Sequence, residues 1–92
     1  MSKTFEQIEC EIQREFIGAS YYGWDVAEGI LKEIIGESVR LYDKGIADGA
    51  DGETEDIYLM YDSFETLDGD LTIRVYYGDV TREVGYVSVT KY

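Results

Sequence analysis

Between Gly45 and Ile73 the chain carries Asp48, Asp51, Glu53, Glu55, Asp56, Asp62, Glu65, Asp68 and Asp70, and no lysine or arginine. Carboxylates at this density can ligate a metal ion, exchange protons, or offer fixed negative charge to a cationic partner. The first of these needs a register that this segment lacks. An EF-hand loop sets acids at alternate positions ahead of a glycine and closes on a glutamate. Asp48-Gly49-Ala50-Asp51-Gly52-Glu53 instead spaces its aspartates by three, which leaves weak calcium binding as the most that the loop offers. Close carboxylate pairs are not diagnostic of proton transfer either, because 20 acids among 92 residues produce them by chance. The chain has no histidine, the commonest general base, and no glycine-rich phosphate loop ending in lysine. Its one cysteine, Cys10, sits between Glu9 and Glu11, whose charge disfavours a reactive thiolate, and is expected to pack beside helix residues. The sequence therefore predicts no enzyme, no cofactor and no structural metal.

Fixed charge is left. The formal net charge is −12, beyond the magnitude of about 2–8 that solubility asks of a small domain. A surplus of this sign repels nucleic acid and anionic membranes and speeds encounter with basic surfaces. Duplex DNA shows one negative charge per ~1.7 Å of axis, so the segment could occupy lysines and arginines that would otherwise hold phosphates. The expected contact residues are Asp48, Asp51, Glu53, Glu55, Asp56, Tyr58, Asp62, Glu65, Asp68 and Asp70, with Glu6 and Glu9 extending the field. The competing explanation is that these acids lie in loops and edge strands, where charge prevents edge-to-edge pairing. Nine tyrosines exceed what so short a chain needs in its core, and Tyr58, Tyr76 and Tyr86 are expected to share an outer sheet face.

The elements that must position these groups are legible from period and punctuation. Thr4-Phe5-Glu6-Gln7 has the form of a capping box, and Phe5, Ile8, Ile12 and Phe16 follow at helical spacing. Gly18 is a plausible helix end, and Tyr21, Tyr22 and Trp24 are expected to close one end of the core. Trp24, Ala27, Leu31, Ile34 and Ile35 make a second apolar stripe that Gly36 ends. The period then changes to two. A short strand at Val39 to Tyr42 is followed by an exposed loop from Gly45 to Glu55 and strands at Asp56–Tyr61, Leu71–Tyr77 and Val84–Lys91. Turns at Asp68-Gly69-Asp70 and Gly78-Asp79 join the later strands. The predicted fold is α+β: two N-terminal helices packed on a three- to four-stranded antiparallel meander, in one domain over residues 1–92.

No apolar run reaches the ~20 residues of a membrane span, and Met1 to Glu6 has no signal-peptide core, so a cytoplasmic location is expected. With its helices, antiparallel strands and the base-free stretch from Asp48 to Asp70, the chain resembles in type the small acidic phage anti-CRISPR proteins. That resemblance implies an inhibitor that mimics DNA and blocks access to a Cas effector such as Cas9, whose positive channel and PAM-reading arginines would be the target. Two other classes share parts of the profile. A bacterial immunity protein that neutralises a basic toxin nuclease would carry the same charge, and a phage structural or assembly protein would use a tyrosine-rich sheet as an oligomer interface. The expected partner is a basic nucleic-acid-binding protein and not nucleic acid or membrane, with the chain itself a monomer or small homo-oligomer.

Overall fold

In the computed structural model, which describes residues 4–47 and 59–91, α1 (Phe5–Phe16) begins at the capping box read from the sequence. The Gln7 amide donates to the Thr4 hydroxyl at 3.2 Å, and the Thr4 amide donates to the Gln7 side chain at 2.9 Å. Two backbone donors that a helix start leaves orphaned are thereby satisfied. The stripe Ile8, Ile12 and Phe16 is buried, as its spacing requires. α2 (Trp24–Ile35) buries Ala27 and Leu31 and ends at Gly36, whose φ of +88° is the left-handed conformation that glycine adopts without a Cβ penalty.

Four strands follow as an antiparallel meander in the order β1 (Val39–Ala47), β2 (Leu59–Thr66), β3 (Leu71–Gly78) and β4 (Val84–Lys91). The fold is thus the α+β arrangement that the sequence predicts. Strand bounds differ in two places. β1 continues through Asp43-Lys44-Gly45 to Ala47, and β2 runs five residues beyond the expected end at Tyr61. The reason is tertiary: pairing with β2 carries β1 through its polar residues, and Asp62 and Ser63, poor strand formers alone, find side-chain partners in Tyr21 of the helix link and Arg74 of β3.

Strand alternation divides the sheet into two faces. Val39, Phe64, Thr66, Leu71, Ile73, Val75, Tyr77, Val84, Val87 and Val89 turn inward and make the core with both helices, and Phe64, Ile73, Val75 and Val87 have no exposed surface. α1 packs on β4 and α2 on β1, so the helices cover this face. Among the described residues, no helix packs on the other face. The link between the helices is tied to the β3–β4 turn, with the Gly18 and Tyr21 amides donating to the carbonyls of Val84 (2.9 Å) and Arg82 (2.7 Å). That tie seats Tyr21 beneath the start of α2, 5% exposed, whereas Tyr22 and Trp24, expected beside it, stand 78% and 47% exposed. Only Tyr21 closes the core. Cys10 is likewise on the surface and not packed, with Arg14 one turn away donating to its sulfur at 3.8 Å.

Among the described residues, no helix is long and apolar enough to cross a membrane, and no group of three or more His, Cys, Asp or Glu side chains is arranged to hold a metal ion.

Candidate functional site

The acids expected to form one surface fall into three different surroundings. Asp48, Asp51, Glu53, Glu55, Asp56 and Tyr58 lie outside the described residues. Asp62 corrects the expectation directly. It points inward opposite Val75, is 5% exposed and accepts the hydroxyl hydrogen of Tyr21. A strand extended past Tyr61 gives Asp62 inward parity with Met60 and Phe64, which no reading that ended the strand at Tyr61 could supply. Burial, and next the bond to Asp62, push the Tyr21 hydroxyl far above the usual phenol range. Its ring stacks on Tyr77 at 4.2 Å, and the Arg82 guanidinium lies 5.0 Å from the Tyr77 ring centre on a pocket of about 380 Å³ that Lys44, Trp24 and Asp62 also line.

This pair is structural. In Tyr21→Phe the buried Asp62 oxygen loses its donor, and leaving such a group unsatisfied costs about 1–3 kcal/mol. Urea unfolding monitored by circular dichroism should show the midpoint falling accordingly; an unchanged midpoint would mean that the bond contributes nothing.

Glu65 is also corrected. It faces outward opposite Arg40, whose Nε donates to it at 2.8 Å, so its charge is neutralised within the chain. Asp68 and Asp70 sit in the β2–β3 turn, where the Thr66 hydroxyl (2.7 Å) and the Asp70 amide (3.0 Å) both donate to Asp68. These bonds, the hydroxyl first, hold the Asp68 carboxyl below its ordinary range. The turn is at the opposite end of β2 from Leu59, about 25 Å away at ~3.4 Å per residue.

Among the described residues, the helices hold the largest excess of acids. α1 and α2 together hold seven acids, Glu6, Glu9, Glu11, Glu15, Asp25, Glu28 and Glu33, against Arg14 and Lys32, and exposed Glu37 follows α2. The four strands hold three acids against four basic residues. Among the described residues the strands are thus near balance and the helices acidic, while the turns add Asp68, Asp70, Asp79 and Glu83 against Arg82. The sequence expectation has Glu6 and Glu9 extend the field and does not include Glu15, Glu33 and Glu37. The signal that could have found them is electrostatic. Glu15 and Glu33 sit in the last turns of their helices, where the macrodipole disfavours a carboxylate by about 0.3–1 kcal/mol, so helix formation does not ask for them.

On the outer sheet face Arg74 is central. Its Nε donates to Ser63 at 2.7 Å, its Nη2 is 3.8 Å from Asp43, and its guanidinium lies 4.4 Å from the Tyr61 ring centre. Tyr61, Tyr76 and Tyr86 form a row across three strands, with ring centres 6.0 and 5.7 Å apart. Tyr76 and Tyr86 share the face as expected, and Tyr61 joins them.

Compared with family models, curated proteins and solved structures, the chain matches none.

Proposed function

We propose that this chain is an inhibitor that covers the basic nucleic-acid-binding surface of a nuclease, of the anti-CRISPR kind, and that the α1–α2 layer supplies the contact charge. The observation that carries this reading is the excess of acids on the helices beside the near balance of the strands. Acids placed only to keep the chain soluble would be spread over both, whereas here the strands are balanced and the helices are not. The density is of the right order. A twelve-residue helix is about 18 Å long, a length over which duplex DNA carries about ten charges; the two helices present seven acids. Such a layer would act by occupying a cationic groove and by repelling the DNA that approaches it. No side chain here needs to perform chemistry.

The test is a DNA-binding assay with guide-loaded Cas nucleases. The expected result is formation of a complex with one of them and release of its target DNA as the chain is titrated. If no Cas nuclease binds while a basic toxin nuclease does, the protein belongs to the immunity class instead. Failure to bind any basic nuclease would overturn the reading altogether.

A further inference from the structure

We propose that two copies of this chain associate, as a reversible two-fold dimer, through the outer face of the sheet. The argument starts from symmetry. A two-fold interface lays one patch against itself, so a patch of a single charge sign repels its own image and only a balanced one can close. Two molecules of net charge −12 repel each other over most approaches. The outer sheet face is where they need not. Arg40 is paired there with Glu65, and Arg74 lies beside Asp43.

The side chains on this face are those that interfaces favour. Tyrosine and arginine are enriched at the centres of protein contacts and lysine is depleted. Tyr42 and Tyr86 stand 44% and 56% exposed, with Tyr76 and Arg74 between them. Beside Tyr86, a depression of about 170 Å³ lies between Tyr42 and Tyr76 and is floored by Thr72, Arg74, Ser88 and Thr90. One face therefore carries both a projecting ring and a concavity, the two shapes that a self-complementary contact must supply together.

Area sets the strength. Four strands of about eight residues project over roughly 500 Å² at ~4.8 Å per strand and ~3.3 Å per residue. Two such faces together reach about 1,000 Å², the low end of specific interfaces. A dimer that exchanges with monomer follows. It places the two sheets face to face and leaves the acidic helical layers on opposite outer sides. This inference does not depend on the identity of any nuclease.

Sedimentation velocity over a concentration series through the micromolar range tests it. The wild-type chain should shift from monomer to twice the monomer mass, and added salt should strengthen the dimer by screening the repulsion between the two copies. Tyr86→Asp, which removes an exposed ring from each copy and adds a like charge to the face, should weaken dimerisation by at least ~30-fold. Thr90→Glu, an exposed substitution less able to disturb folding, should also weaken it and recover partly in salt, because it unbalances the face. A wild-type monomer at every concentration would overturn the proposal and leave the face to a chemically different protein. A dimer that persists in both variants would overturn it too, by placing the contact elsewhere.

Discussion

Phe64→Ala is expected to lower the unfolding free energy by about 3–5 kcal/mol, the range for a large aromatic removed from a packed core. Phe64 is fully buried on β2, opposite Ile73 on one side and Leu41 on the other, and it belongs to the same apolar cluster as Ile12 and Leu31 of the helices. Nothing can move in to fill the space cheaply, because its neighbours are held in strand register. A domain of 92 residues has a total stability on the order of 5–14 kcal/mol, so the variant would lose a large share of it. Urea titration followed by tryptophan fluorescence of Trp24 and by circular dichroism checks the figure. A loss below about 1 kcal/mol would show that the helices do not close on the sheet at this residue.

The second large effect concerns binding. Reversing Glu6, Glu15, Glu33 and Glu37 together to lysine should reduce affinity for the proposed basic partner by at least ~100-fold, since like charges brought together across an interface cost several kcal/mol in sum. All four are exposed and none is a core residue, so folding should survive. Reversal at Glu33 and Glu37 places positive charge near the C-terminal end of α2, which the macrodipole favours. Loss of binding there could not be blamed on a melted helix. A reversal at Asp79, in the β3–β4 turn and off the helical layer, should change affinity by less than ~10-fold. Circular dichroism of each variant, followed by calorimetric titration with the partner, separates the two outcomes.

Much of the fold was written in local signals. Thr4 and Gln7 mark the start of α1 by their chemistry, Ile8, Ile12 and Phe16 mark its inner face by their spacing, and Gly36 marks the end of α2 by the backbone angle that it alone takes easily. These features need only neighbours within one turn. The misread positions need neighbours that are distant in sequence. Asp62 looks like a loop acid until Tyr21, 41 residues earlier, is brought against it. Glu65 looks unbalanced until Arg40 is laid opposite it, and Asp62 and Ser63, in a stretch free of basic residues along the chain, meet Lys44 and Arg74 across the strands. A register decides this, and a sequence does not display its register. The helical acids were visible all along. Apart from Glu6 and Glu9 they do not stand out in sequence, because solvent-facing glutamates on a helix are ordinary and only their contrast with near-balanced strands marks them.

The most direct test of the helical layer is the salt dependence of its affinity for the nuclease that it is proposed to inhibit. Contact made chiefly by exposed carboxylates against a cationic groove should weaken steeply as ionic strength rises from ~0.05 to ~0.5 M, because the screening length shrinks to a few ångströms. The variant with Glu6, Glu15, Glu33 and Glu37 reversed should show a much flatter dependence. An affinity indifferent to salt, or a slope unchanged by those four reversals, would contradict the account.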